Sequence, residues 1–182
     1  LDMKDRGLLK QNTVVGTVMS NLGLKIALKK AGCTLEQTRV GDRYVLERML
    51  ERNYSLGGEQ SGHIIFRNHS TTGDGILTAL QMLSVVKRSG KPLSALAAGM
   101  TKLPQVLVNA RVSEAKKHCY AEDAVIQEEI RKIESRFREE GRVLIRTSGT
   151  EPLVRIMIEG TDQQLMEKEA VRLAGLIEQR LA

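Results

Sequence analysis

The first ninety residues alternate between strand-like and helix-like segments, and this alternation limits the fold more than any other feature. Residues 12–20 (NTVVGTVMS) are β-rich and predict a buried strand. Asn21 caps a predicted helix over 22–30, and a second strand over 34–40 leads to a helix opened by Gly41. Strands joined by such helices predict a mostly parallel sheet, because a parallel pair needs a crossover connection.

The rest of the first hundred residues completes this predicted layer. Strand segments at 54–56 and 64–66 flank a glycine-rich turn, and Asp74 caps a long helix. The apolar residues that share one face of that helix are Ile76, Leu80 and Leu83. We therefore expect a mostly parallel three-layer α/β unit over residues 1–100.

The second part of the chain has a different order of elements. Its strands and helices are predicted in the order β-α-β-β-α, which is typical of a small α+β domain. The segments are 105–112, 121–140, 143–145, 153–158 and a last helix from Asp162. The predicted linker is 99–104, and the second domain is expected over 104–182.

The net charge of +6 comes from the first part of the chain. Residues 1–100 contain 14 Lys and Arg against 8 Asp and Glu, whereas residues 101–182 contain 14 of each kind. A basic half suits an anionic partner such as nucleic acid, anionic lipid or a phosphorylated small molecule. Aromatic residues make up only 3%, and none is interleaved with Lys or Arg in an RNA-binding motif, which argues against nucleic acid.

The cysteine content and hydropathy set the expected compartment. Cys33 and Cys119 are too few for a disulfide framework, and no cysteine–histidine cluster has zinc-binding spacing. A reducing, cytoplasmic location is expected. The sequence has no apolar run of roughly 20 residues and no signal-peptide pattern, so we expect no membrane partner. It opens at Leu1 rather than Met, which we interpret as a fragment or a processed product.

The first candidate site is the glycine-rich segment 57–63 (GGEQSGH). Its three glycines allow a ligand to approach the backbone closely. Glu59 and Ser61 can accept and donate hydrogen bonds to vicinal sugar hydroxyls, and His63 can contact a phosphate or transfer a proton. The residues alone favour a different interpretation, a tight turn between strands with polar side chains in solvent.

The second candidate site is the segment 146–152 (RTSGTEP), between two predicted strands. Its hydroxyl side chains and backbone N–H groups can form a concave site for phosphate oxygens. Arg146 offers a bidentate contact, and Arg155 in the following strand can add a second. The spacing is not that of a P-loop, and a plain hairpin turn remains the alternative interpretation.

Two further segments contain polar residues at the ends of predicted elements. The segment 71–75 (TTGDG) is interpreted as a helix N-cap with a glycine-rich approach. Gly41, Asp42 and Arg43 lie at a strand-to-helix junction, where ligands commonly bind in α/β layers, although Asp42 can also be a simple cap.

Taken together, these segments resemble the α-D-phosphohexomutase superfamily. GGEQSGH is similar to its sugar-recognition loop, and RTSGTEP is similar to its phosphate-binding loop. The agreement is greatest with a bacterial branch that acts on glucosamine phosphates, and it runs over essentially the whole chain. The other segments that carry it are NTVVGTVMSNLG, VGDRYVLE, TTGDGILTALQ and LPQVLVNARV.

The resemblance implies a role for each matching residue. Glu59 and Ser61 would hold the sugar hydroxyls, and His63 would assist proton transfer or contact a phosphate. The residues that would help to shape the sugar preference are Gly41, Asp42 and Arg43. The residues that would hold the non-reacting phosphate are Arg146, Thr147, Ser148, Gly149, Thr150 and Arg155.

The resemblance also implies an activity for the complete enzyme. Members of the superfamily have four domains. In the branch that acts on glucosamine phosphates, a phosphoserine donates its phosphoryl group to glucosamine 6-phosphate, and glucosamine 1-phosphate forms through the 1,6-bisphosphate. This product supplies cell-wall precursors. The chain resembles the third and fourth domains. It contains neither the SxSHNP-type serine loop nor the DGDxDR-type magnesium loop of the first two. Magnesium is therefore expected as a cofactor of the complete enzyme only, and the expected partners are the hexosamine phosphate and the two N-terminal domains.

Three alternatives remain open at this point. The chain could derive from a relative that acts on glucose or mannose phosphates, although the EQSGH form of the sugar loop argues against this. It could be a basic nucleic-acid-binding module, or the two units could serve only as an interaction scaffold.

We expect purified residues 1–182 to have no mutase activity, because the chain has no serine loop or acidic metal loop of the implied kinds. The measurement is conversion of glucosamine 6-phosphate by a preparation free of any longer enzyme. A robust rate would contradict this expectation.

Overall fold

The computed structural model describes residues 1–137 and 141–182, which divide into the units Leu1–Lys102 and Leu103–Ala182. The elements of the first unit are α1 (Asp2–Asp5), β1 (Thr13–Thr17), α2 (Leu22–Lys30), β2 (Thr34–Thr38), α3 (Asp42–Glu51), β3 (Leu56–Gly58), β4 (Ile64–Phe66), α4 (Gly75–Ser89) and α5 (Leu93–Ala97). Among the described residues, no helix is long and apolar enough to cross a membrane.

The four strands of the first unit form one sheet in the order β2-β1-β3-β4. The central strand β1 is parallel to both β2 and β3, and only β4 runs antiparallel, against β3. The prediction of a mostly parallel sheet is therefore confirmed. The carboxyl ends of β1, β2 and β3 lie at the same edge, because parallel strands share one direction.

Helices cover both faces of this sheet. Val14 and Val15 are successive residues of β1, so their side chains point to opposite faces. Val15 is buried in a cluster with Val45 and Met49 of α3, whereas Val14 packs against a cluster that contains Leu28 of α2. The predicted three-layer arrangement is thus present.

The helix predicted after Asp74 is α4, and its cap is confirmed. The Asp74 side chain accepts a hydrogen bond from the Leu77 backbone N–H at 2.9 Å. Its predicted apolar face does not enter the core of the unit, since Ile76, Leu80 and Leu83 are 78%, 58% and 64% exposed. Apolar spacing gives the shared face of a helix, but not what covers that face.

The second unit contains β5 (Gln105–Arg111), α6 (Ala124–Phe137), β6 (Arg142–Thr147), β7 (Leu153–Glu159) and α7 (Gln163–Leu181). Its sheet has the order β5-β7-β6, and both pairs are antiparallel. Apolar residues of α6 and α7, such as Ile126, Ile133 and Leu173, form one buried cluster with Ile156 and Ile158 of β7. The predicted β-α-β-β-α order is confirmed.

The predicted start of α6, at residue 121, is too early. A 3-10 turn occupies Cys119–Ala121, and the helix begins at Ala124. Asp123 explains the difference, because its Oδ1 accepts hydrogen bonds from the N–H groups of Val125 and Ile126 at 3.0 and 3.1 Å, as an N-cap does. The predicted end at 138–140 lies outside the described residues.

We expect Gly57→Ala to destabilise the first unit by about 1–3 kcal/mol through overpacking. A Cβ at Gly57 would lie 2.5 Å from Met49 Sδ and 2.7 Å from Val45 Cγ1, inside the core. The control is Gly75→Ala in the first turn of α4, where no atom lies within 4 Å of the added Cβ. Denaturant unfolding measures both, and an unchanged free energy of unfolding in Gly57→Ala would contradict the packing.

We expect the contribution of Asp123 to the stability of the second unit to disappear in acid. A hydrogen bond from Arg180, 2.7 Å between Nε and Oδ2, is the main cause that lowers the pKa of Asp123 below its ordinary 3.8. A lowered folded-state pKa adds stability above the unfolded-state value, which is lost as the pH falls below about 4.

The measurement is the thermal unfolding midpoint of the wild type and of Asp123→Asn between pH 7 and pH 2. The gap between the two proteins should close at the acid end, because the protonated carboxyl no longer pairs with Arg180. A gap that is independent of pH would show that the ion pair contributes nothing.

Candidate functional site

The glycine-rich segment 57–63 lies at the edge of the sheet where the parallel strands end. Glu59 directly follows the end of β3, and Gly41 lies in the loop that follows β2. The Gly41 backbone N–H donates a hydrogen bond to Glu59 Oε2 at 3.1 Å. The structure therefore brings two of the sequence-predicted segments together.

Glu59, Ser61 and His63 form a short hydrogen-bonded chain. Ser61 Oγ donates to Glu59 Oε1 at 3.0 Å and lies 2.9 Å from His63 Nδ1. A hydroxyl has one proton to donate. Because Ser61 donates that proton to the hydrogen bond with Glu59, the Nδ1–H of His63 must donate to the Ser61 oxygen. The Nε2 of a neutral His63 is then left as an acceptor. The Glu59 side chain is only 11% exposed and that of His63 is 54% exposed, so the imidazole is the accessible end of the chain.

Gly73, in the segment interpreted as a helix cap, lies close to His63. A Cβ at Gly73 would lie 3.0 Å from His63 Cβ and 3.2 Å from its Cδ2. The segment thus combines the Asp74 cap with a close approach to the imidazole, which only the three-dimensional structure reveals. The sequence offered one signal for this approach: Gly73 precedes the cap residue Asp74, and an N-cap does not require a glycine there.

Asp42 and Arg43 do not take part in this chain. Asp42 Oδ1 accepts from the Arg43 backbone N–H at 2.8 Å, and Arg43 Nε pairs with Glu47 Oε1 at 2.8 Å along α3. The Arg43 side chain is 80% exposed. Of the three predicted residues at this junction, Gly41 is the one with a hydrogen bond to Glu59.

A cleft of about 350 Å³ opens beside Glu59 in the first unit. Gly58, Glu59 and Gln60 lie along it, and aliphatic side chains such as Leu24 and Ile64 form its walls. A larger cleft of about 560 Å³ lies between α1 and α4 and contains none of the predicted site residues. The smaller cleft is therefore the one that adjoins the polar chain.

The second predicted site lies on the hairpin formed by β6 and β7. Arg146 and Arg155 are directly opposite each other in the strand register. Like charges in this position repel, and an anion bound between them would remove the repulsion. Arg155 Nη2 donates to Glu151 Oε2 at 2.7 Å and to Ser148 Oγ at 3.3 Å. Within the described residues, the buried Nε of Arg155 has no hydrogen-bond partner.

The loop between these strands has an open tip. A Cβ at Gly149 would meet no atom within 4 Å, Thr150 is exposed, and Thr147 is the half-buried last residue of β6. Ser148 is buried, and its N–H already donates to the Leu153 carbonyl at 2.9 Å. The Ser148 N–H is thus already bonded within the protein, and only other backbone N–H groups of this loop could contact a phosphate.

Neither site has the composition of a metal centre. Among the described residues, no group of three or more His, Cys, Asp or Glu side chains is placed to hold a metal ion. The acidic residues of the two sites pair with groups of the protein: Glu59 with Gly41 and Ser61, and Glu151 with Arg155. The described residues of this chain therefore do not form a magnesium site.

Family models match both units. The model described as phosphoglucomutase/phosphomannomutase, alpha/beta/alpha domain III, matches residues 1–103. The model of the phosphoglucomutase/phosphomannomutase C-terminal domain matches residues 107–176. Both predicted site loops lie inside these matches.

Curated relatives extend the match over the whole chain. The chain is 62% identical over 181 residues to a phosphoglucosamine mutase of Acetivibrio thermocellus and 59% identical over 182 residues to that of Ruminiclostridium cellulolyticum. It is covered completely in both comparisons and spans 40% of the length of each relative.

Solved structures agree in fold. N-acetylphosphoglucosamine mutase of Aspergillus fumigatus superposes with a TM-score of 0.77 at 20% identity, covering 92% of this chain and 38% of that protein. An N-acetylglucosamine-phosphate mutase in its substrate complex, a member of the α-D-phosphohexomutase superfamily, gives 0.70 at 23% identity, covering 91% and 38%. The resemblance inferred from the loops is confirmed, and the chain belongs to the phosphoglucomutase/phosphomannomutase family of α-D-phosphohexomutases.

Proposed function

We propose that this chain is the sugar-phosphate-binding C-terminal part of an enzyme that interconverts glucosamine 6-phosphate and glucosamine 1-phosphate. The observation that carries the proposal is the pair of opposed arginines, Arg146 and Arg155, with only one carboxylate, Glu151, bonded to either of them among the described residues. The names of the relatives that match over the full chain give the substrate class.

The hairpin of the second unit provides the phosphate contacts. A phosphate dianion bonded to Arg146 and Arg155 compensates both guanidinium charges. Hydrogen bonds between arginine and phosphate are also stronger than hydrogen bonds between neutral groups. It also gives Arg155 Nε an acceptor, which it lacks among the described residues. Thr147, Gly149 and Thr150 at the open tip complete the proposed contacts, with the Ser148 hydroxyl beside Arg155.

The chain of hydrogen bonds in the first unit provides the sugar contacts. Glu59 keeps the remaining lone pairs of its carboxylate for sugar hydroxyl donors, while Gly41 and Ser61 fix its orientation. The accessible Nε2 of His63 can take a proton from a hydroxyl and return it. Asp42 and Arg43 contribute to sugar preference through the loop that contains Gly41.

The chemical step belongs to the longer protein. In the proposed mechanism a phosphoserine transfers its phosphoryl group to glucosamine 6-phosphate, and the 1,6-bisphosphate then returns the other phosphoryl group to the serine. The residues of this chain orient the sugar and hold the phosphate that is not reacting, and positioning of this kind is a main source of rate in phosphoryl transfer. The Aspergillus fumigatus enzyme has been solved in complex with GlcNAc-6P and magnesium, and such an ion would offset negative charge at the reacting phosphate of the complete enzyme.

A second candidate is an enzyme of the same family that acts on glucose or mannose phosphates. Both family models are named after phosphoglucomutase and phosphomannomutase, which favours this possibility. Assay of the longer protein with each hexose phosphate discriminates the two candidates.

We expect the 182-residue chain to bind glucosamine and inorganic phosphate through different loops, as observed by NMR. Glucosamine should shift the resonances of residues 57–63, and phosphate should shift those of residues 146–155. Arg146→Ala and Arg155→Ala should each weaken phosphate binding roughly 10- to 100-fold, because a hydrogen bond to a charged group is worth about 1.5–3 kcal/mol. Both variants should leave glucosamine binding unchanged.

The matched control is Arg131→Ala, which removes the same charge from α6 of the same unit, where Arg131 pairs with Glu128 on the surface. It should bind phosphate like the wild type. Equal losses in all three arginine variants would mean that net charge attracts the phosphate. Shifts with duplex DNA that sugar phosphate does not compete away would support the nucleic-acid alternative instead.

A further inference from the structure

The orientation of the Glu59 carboxylate depends on two loops. One oxygen accepts from Ser61, which lies in the same turn, and the other accepts from the Gly41 N–H in the loop between β2 and α3. The second contact ties Glu59 to a separate part of the chain, 18 residues away in sequence. The position of Gly41 therefore decides where one of the two oxygens lies.

Gly41 has a backbone conformation that needs support. Its φ is +129°, a region that residues with a side chain rarely adopt. The ring of Tyr44 packs against it, since a Cβ at Gly41 would lie 3.2 Å from Tyr44 Cδ2. The Tyr44 N–H also donates to the Gly41 carbonyl at 3.0 Å. Tyr44 thus contacts both the backbone and the open side of this glycine.

Arg39 holds the Tyr44 ring from the other end of the loop. Its guanidinium carbon lies 3.6 Å from the centroid of the ring, which is a cation–π contact. Arg39 comes directly after β2, and Tyr44 lies in the first turn of α3. The contact therefore closes the loop that contains Gly41 by joining its two ends.

We propose that Tyr44 and Arg39 are positioning residues for Glu59 and act through Gly41. The stacked pair fixes the loop, the loop places the Gly41 N–H, and that N–H orients the carboxylate. Neither residue needs to touch the ligand. The proposal deepens the sugar-binding role of Glu59 and rests on it, but the coupling between the stack and the carboxylate exists without any ligand.

The first experiment measures the amide proton resonance of Gly41 by NMR in the ligand-free 182-residue chain. Glu59→Ala defines the resonance position without the hydrogen bond. Tyr44→Ala and Arg39→Ala should both move the resonance towards that position, while Tyr44→Phe should not, because phenylalanine keeps the ring. Arg52→Ala, at the opposite end of α3, removes the same charge and should leave the resonance in place.

The second experiment measures the dissociation constant for glucosamine in the same variants. Tyr44→Ala and Arg39→Ala should weaken binding roughly two- to fivefold, the factor that corresponds to an exposed cation–π contact. Tyr44→Phe and Arg52→Ala should bind like the wild type. Thermal unfolding midpoints identify any variant that has lost its fold. If Tyr44→Ala unfolds, the test rests on Arg39→Ala, because the Arg39 side chain is exposed.

The outcomes separate this proposal from the proposed function. A Gly41 resonance that is unchanged in Arg39→Ala, or that moves equally in Arg52→Ala, would overturn the positioning role. If the Gly41 resonance shifts as expected in the variants but the wild-type chain does not bind glucosamine, the positioning of Glu59 would be confirmed. The same result would refute its role in sugar binding.

Discussion

The parallel pairing of β1 with both of its neighbours is the constraint on which the first unit depends. Val14 pairs with Leu35 of β2 and with Leu56 of β3, so all three strands end at one edge. This register places the loop after β2 beside the turn after β3 and lets Gly41 reach Glu59. The packing of α2 and α3 on opposite faces stabilises the same register, because a one-residue slip would exchange the β1 side chains that face the two helices.

Local signals in the sequence predicted most of the elements and the N-caps of two helices. The caps at Asn21 and Asp74 follow from residue type and position, and each side chain accepts the expected backbone hydrogen bond. The wrong start predicted for α6 could also have been avoided with a local signal. Asp123 is a typical N-cap residue, but the prediction followed the apolar periodicity and began the helix at residue 121. The loops were identified by their composition, and the roles of their residues stay proposals.

Contacts between distant segments could not be predicted in this way. The opposition of Arg146 and Arg155 depends on the exact register of a hairpin, and the approach of Gly73 to His63 depends on where α4 begins in space. Buried Glu159 is a further case: it is the last residue of β7 and is held by Arg142 at 2.6 Å and by Gln105 at 3.0 Å. The sequence pattern predicts the strand, but it does not predict that Arg142 and Gln105 bind Glu159.

The distribution of charge gives a different lesson from its sum. The basic excess lies in the first unit, yet the paired arginines lie in the second, where acidic and basic residues balance. Exposed charges are screened beyond about 8 Å in physiological salt, so anion binding depends on the few groups within contact distance. In the proposed function, each unit offers one kind of contact: the Glu59 carboxylate for hydroxyl groups in the first unit, and the guanidinium groups of Arg146 and Arg155 for a phosphate in the second.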